Sequence, residues 1–293
     1  VRRCARLVAA AVVLLLASPC AWAASLSARL PPDAWLVAEV DVASLRGGGW
    51  LGETSTSVDP LLVALRDAGF IPARDVSRLA LAIVSGTQQD TQAVVLARGR
   101  FDRKAIEAAL VKAGGERVDL AGAPAVRMPQ REVRLDDSTR SLVLDEPLLV
   151  SFLDDAIVLG TRRASRAVHE SKAPPGLLLS PTRKEVPTSA AHWLVADLAR
   201  QFHPRDATSA AVTSELKTLA AWGSGTDVVE LRAIAHATDE KAAAQVALFA
   251  PIALGFLGGD PAGVHLEGVK VEAAVEKVMA RASLVKRASP LRP

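Results

Sequence analysis

The segment Trp35-Leu36-Val37-Ala38-Glu39-Val40 recurs as Trp193-Leu194-Val195-Ala196-Asp197-Leu198, identical at four positions and conservative at the other two. A match of this kind near the start of each half constrains the fold strongly, because copies of one unit must bury similar faces. A weaker match, Asp75-Val76-Ser77-Arg78-Leu79 against Asp227-Val228-Val229-Glu230-Leu231, falls in the same order. We read the chain as a duplicated α+β unit. The first copy spans 24–173 and the second 189–285, with the proline-rich 174–188 as linker, 1–23 as a leader and 286–293 as a basic tail.

Local patterns fill in each copy. Leu36 to Val42 alternates, which predicts a strand with Leu36, Ala38, Val40 and Val42 on its inward face. Asp59-Pro60 opens a helix that Gly69 closes. The runs Leu79–Val84 and Ala93–Ala97, joined by a polar stretch, predict a hairpin. Asp102 is placed to cap a helix from Arg103 to Ala113, with Ile106 and Leu110 inward and Arg103 paired with Glu107. A strand near Ala125–Met128, a hairpin around Asp154-Asp155 and a basic helix from Arg162 to Glu170 complete the copy. The order βαββαβ predicts a ferredoxin-like unit, with mainly antiparallel strands and two helices on one face.

The second copy repeats the scheme. Its strand begins at Trp193, a helical or partly helical stretch covers Ala207–Leu219, a strand covers Val228–Ala235, and a helix capped by Thr238 runs toward Leu257. The stretch Val269–Val285 fits a helical period as well as a strand pair, and the repeat favours strands.

Arg2, Arg3 and Arg6, an apolar run from Leu7 to Ala17 and the small residues Ala21 and Ala23 have the order of a signal peptide. Cleavage is expected after Ala23, which predicts an exported protein in the periplasm or envelope. Cys20 also loosely resembles a lipoprotein cysteine. Without the three leader arginines, 32 Lys+Arg face 32 Asp+Glu. That balance removes the excess of positive charge which nucleic acid or an anionic membrane surface would require. The chain has no tyrosine and no asparagine, and far more arginine than lysine, a pattern of GC-rich coding. Both cysteines, Cys4 and Cys20, sit in the leader, so thiol catalysis and disulfides are excluded from the processed chain.

Searches for reaction chemistry return little. The histidines at 169, 192, 203, 236 and 265 form no i, i+4 pair and carry no H-E-x-x-H pattern, so no metal is predicted. Ser214-Glu215-Leu216-Lys217 matches S-x-x-K without its companion motifs. No phosphate loop, dinucleotide fingerprint or nucleophile elbow occurs, and no cofactor is expected. The sharpest candidates are Glu39, Asp41 and Asp197, which alternation places on one strand face, open to solvent or to a cleft between copies. Trp50, after three glycines, is a candidate exposed contact. The run Ala242–Gly259 is the one place for a membrane reading, though Pro251 and Gly255 interrupt it.

Leu30 to Asp41, the junction Arg98-Gly99-Arg100-Phe101-Asp102 and the segment Phe152 to Gly160 resemble a group of uncharacterised exported bacterial proteins. The resemblance implies export and a duplicated α+β architecture, and brings no catalytic residues. The leading expectation is therefore a non-catalytic envelope protein that binds another protein or a small apolar ligand. An enzyme using Glu39 and Asp197 as general acid and base, and a lipid carrier or membrane-associated factor, are the alternatives.

Overall fold

The computed structural model describes residues 25–50, 60–84, 92–129, 132–134, 141–143, 146–201, 215–257 and 264–286. The expected cleavage-site residues Ala21 and Ala23, both cysteines, Ser214 and Ala207–Thr213 lie outside them.

In the first half, strand β1 is Ala34–Asp41, followed by the helices α1 (Val42–Gly47), α2 (Pro60–Asp67) and α3 (Pro72–Asp75). Strands β2 (Val76–Val84) and β3 (Gln92–Gly99) lead to helix α4 (Arg103–Lys112). Strands β4 (Glu116–Leu120), β5 (Ala123–Arg127), β6 (Glu132–Arg134), β7 (Ser141–Val143), β8 (Leu149–Phe152) and β9 (Ala156–Gly160) precede α5 (Arg162–Glu170). Helix α6 (Pro181–Lys184) then leads to β10 (His192–Asp197), α7 (Leu198–Gln201), β11 (Leu216–Ser224) and β12 (Val229–Ala237). Helix α8 (Glu240–Leu257) and the hairpin β13 (Val264–Ala274) and β14 (Lys277–Lys286) end the series.

Twelve of these strands form one open sheet, in the order β13-β14-β12-β11-β10-β1-β2-β3-β9-β8-β5-β4, and β6 pairs with β7 apart from it. Every pairing is antiparallel. The α+β class is as expected, but the chain does not build ferredoxin-like units. Such a unit needs a parallel neighbour beside its first strand. Here β2 lies antiparallel on one edge of β1, and β10 takes the other edge.

The two hexapeptides are thus neighbours. Val37 faces Val195, with Leu36 opposite Ala196 and Ala38 opposite Leu194. Equivalent residues are related by a local twofold axis through the Val37–Val195 pair. Outward from that axis the strand order is β1-β2-β3-β9-β8 on one side and β10-β11-β12-β14-β13 on the other. The weaker sequence match does not follow this relation, since Val76 begins β2 whereas Val229 begins β12, which holds the place of β3.

One face of the sheet is tightly packed. Val37, Ala82, Val94, Leu96, Val158 and Val195 lie there with Leu26 and Leu30 from the segment before β1. Ala164 and Val168 of α5 and Leu177, Leu178 and Val186 of the proline-rich 174–188 stretch complete the cluster. A Val or Leu buried this completely stabilises the fold by roughly 1.5–3 kcal/mol, so these are strong anchors. The burial of β1 is the reverse of the expected one: Trp35, Val37 and Glu39 are buried, while Leu36, Ala38 and Val40 are half-buried.

The second face carries two separate helix packings. Leu65, Phe70, Ile106 and Leu110 from the α2 and α4 regions cover Ala97 and Ile157, with Val40, Leu79 and Leu159 partly enclosed. Ala242, Ala243 and Val246 of α8 cover Ala235 and Val278. Capping residues behave as anticipated at α4, where Asp102 accepts from the Ala105 amide at 3.0 Å and Arg103 pairs with Glu107 at 2.9 Å. At α8 the cap is Asp239, accepting from the Ala242 amide at 2.8 Å, rather than Thr238. Residues 216–219 are strand, not helix, because Leu219 and Ala220 alternate between the two faces. The ambiguous 269–285 stretch belongs to the β13–β14 hairpin.

Candidate functional site

The face opposite the main core is apolar along whole rows. Reading the pairings across the sheet, Leu159, Val95, Leu81, Ala38, Leu194, Ala221, Ala233, Ala280 and Val271 stand in one line over nine strands. All nine are half-buried. Beside them runs Ile83, Leu36, Ala196 and Leu219 on one side, and Leu79, Val40, His192, Gly223 and Leu231 on the other.

The helices that cover this face reach Val40 and Leu79 on one side and Leu219 and Ala235 on the other. Among the described residues, Val95, Leu81, Ala38, Leu194, Ala221 and Ala233 belong to none of the buried clusters. With strands spaced about 4.8 Å apart, these six define a trough about 24 Å long. Alanine on β1, β11 and β12 recesses its floor, and Leu81, Leu194 and Val95 give it relief. A continuous apolar strip that keeps partial contact with solvent marks an interaction surface more often than scattered exposed residues do.

His192 is the one polar side chain in these three rows. It stands between Val40 and Gly223. Both ring nitrogens are buried without a hydrogen-bond partner. Burial pushes its pKa below the ordinary histidine value, against a smaller upward pull from Asp41.

The predicted acids lie on the other face, and that face is closed. Glu39 is only 4% exposed. It accepts from Ser25 Oγ at 2.7 Å and the Ser27 amide at 3.3 Å, and pairs with Arg78 at 3.2 Å. The carboxylate therefore fastens the segment before β1 onto the sheet. Asp41 caps α1 by accepting from the Ser44 amide at 2.9 Å. Asp197 does not meet Glu39. The antiparallel register places Glu39 opposite Trp193, and Asp197 stands four residues farther along β10, about 13 Å at strand rise. Trp50 is half-buried and donates from Nε1 to the Thr226 carbonyl, tying the glycine loop after α1 to the β11–β12 turn.

Two arrangements escaped sequence reading because their partners are distant in the chain. Ser151 Oγ and His169 Nε2 are 2.9 Å apart, which is nucleophile-and-base spacing. Ser151 is wholly buried, so its hydroxyl does not face solvent. Burial, and to a lesser degree Arg103, lowers the His169 pKa. Near them a cleft of about 800 Å³ is lined by Arg127, Arg162, Arg163 and Arg166 together with Glu116, Asp119, Glu146 and Glu170. Its charges balance, and Arg166–Glu170 and Arg127–Glu116 are already ion-paired. The second arrangement joins Glu185 to His236 at 3.1 Å and Lys277 at 2.9 Å. Burial alone would raise the Glu185 pKa, but the contacts from Lys277 and His236 outweigh it and hold the carboxyl below its usual range. This contact clips the proline-rich stretch to β12 and β14.

Among the described residues, no group of three or more His, Cys, Asp and Glu is placed to hold a metal. No helix there is long and apolar enough to cross a membrane. In α8, the alanine face packs inward and Leu248 is 69% exposed.

No protein-family model matches the chain, and no curated protein matches it. By structure it is similar to TP0453, solved as crystal form I of that protein, at 9% identity and a TM-score of 0.49. The likeness covers 90% of this chain and 95% of the other.

Proposed function

We propose that this chain is an exported envelope protein that binds an apolar ligand along the trough and does not transform it. The half-exposed line from Val95 to Ala233 carries this reading, since six aliphatic positions on adjacent strands are left outside every buried cluster. Its length suits a single hydrocarbon chain. One leaflet of a bilayer is about 15 Å of hydrocarbon, which fits within a trough of about 24 Å. The acid–base alternative loses support from the separation of Glu39 and Asp197 and from the burial of Glu39. A duplication that set two β-meanders edge to edge would explain why the trough runs uninterrupted across the β1–β10 junction.

The test is titration of the processed protein with N-phenyl-1-naphthylamine, an apolar dye that brightens when desolvated, alongside solvent extraction and mass spectrometry of protein purified from the envelope. Saturable dye binding, weakened at least about tenfold, near 1.4 kcal/mol, by Leu81→Glu or Leu194→Glu, supports the reading. Failure to bind the dye, or binding unchanged in both variants, overturns it.

A further inference from the structure

The apolar rows contain one feature that a purely hydrocarbon surface has no use for. His192 carries two buried ring nitrogens, a donor and an acceptor when neutral, and neither has a hydrogen-bond partner among the described residues. Leaving such groups buried and unpaired destabilises a fold, and each case calls for a reason. Phe or Leu would fill the same position without that cost. The ring sits at the edge of the trough floor, beside Val40 and Gly223 and one row from Ala38, Leu194 and Ala221.

Gly223, its β11 neighbour, lacks a side chain there, and a Cβ would already stand 3.0 Å from Val229 and 3.1 Å from Leu231. The space next to the ring is thus kept narrow and apolar. Asp41 acts electrostatically on the ring, so negative charge already lies near. A carboxylate or phosphate head group would meet that charge as repulsion and would lose its hydration in apolar surroundings. An uncharged hydroxyl, which both donates and accepts, answers both ring nitrogens' needs in part and carries no such penalty.

Building on the proposed trough function, we infer that His192 is the head-group contact of that site. Its ligand class is a single-chain amphiphile with an uncharged hydroxyl end, the chain lying along the Ala38–Leu194–Ala221 line and the hydroxyl hydrogen-bonded to His192.

The experiment uses the whole processed protein and displacement of N-phenyl-1-naphthylamine by 1-dodecanol or by dodecanoate. Dodecanol is expected to displace the dye at lower concentration than dodecanoate. In His192→Phe dodecanol should displace the dye about tenfold less well relative to the variant's own dye affinity, the worth of one good hydrogen bond. Long-range proton–nitrogen-15 spectra of the unaltered protein supply a readout independent of any variant: the His192 ring nitrogens should shift on adding dodecanol. Unshifted ring nitrogens under saturating dodecanol, equal dodecanol affinity in His192→Phe, or preference for dodecanoate each overturn the assignment while leaving the trough reading standing. Absence of binding by dye and alcohol alike removes both.

Discussion

Truncating Glu39 separates a solvent-facing acid from a buried fastener. In Glu39→Ala, the Ser27 amide loses its acceptor in a residue 1% exposed, which costs about 1–3 kcal/mol. Arg183, 8% exposed and stacked 4.4 Å over the Trp193 ring, loses the neighbouring negative charge that offsets its burial. Arg78 is 48% exposed along its side chain, so water replaces its partner and that pair contributes under about 1 kcal/mol. The expected loss is about 2–4 kcal/mol in total, against about 0.5 kcal/mol for an acid on an open strand face. Glu39→Gln keeps an acceptor for Ser25 and Ser27 and should lose less. Urea unfolding of the two variants measures this as a shift in midpoint at unchanged slope. Amide exchange should show early opening at Leu26 to Leu30, the segment Glu39 holds. A Glu39→Ala midpoint equal to that of the parent protein would refute the reasoning.

His169 and His192 have pKa values lowered by burial from the ordinary 6.5. Above that value both states are neutral and the two rings contribute nothing, whereas below it the unfolded chain protonates first, so stability should fall as the pH is lowered through 6.5 toward the depressed folded-state values. Thermal melts across that range should be flatter for His192→Phe than for the parent. Gly99→Ala should destabilise strongly, because the added Cβ would stand 2.2 Å from the Asp75 carbonyl oxygen on the β2 side; a melting temperature equal to the parent's would contradict the β2–β3 register. Ala221→Phe raises the trough floor at its middle, and should reduce dye capacity in titrations while leaving circular dichroism unchanged.

How much of this was legible in the chain depends on whether the deciding physics was local. Asp102, Arg103 and Glu107 act within one helical turn, so cap and ion pair are written at their own spacing. The β2–β3 hairpin is local too, with its polar connection visible between apolar runs. The repeated hexapeptide announced a relation between β1 and β10 but not its form, since nothing in six residues says whether the copies fold apart or edge to edge. Once Val195 sits opposite Val37, the antiparallel register carries each acid away from its equivalent, and a shared acidic site becomes geometrically excluded.

Face choice was the other blind spot, and it has a specific cause. Strand β1 alternates Leu36, Ala38 and Val40 against Trp35, Val37 and Glu39, so both sets are largely apolar and by pattern alone the one charge marks the outside. What inverts the assignment is Ser25 and Ser27, which meet the carboxylate from a segment preceding the strand, and Arg78 from β2. A charge whose hydrogen bonds are supplied can sit inside, and the aliphatic set is then free to face outward. The half-exposure of Leu36, Leu81, Ala38 and Leu194 and the burial of Glu39 are thus two consequences of one arrangement. The acid that secures the closed face leaves the aliphatic set of β1 to the opposite face.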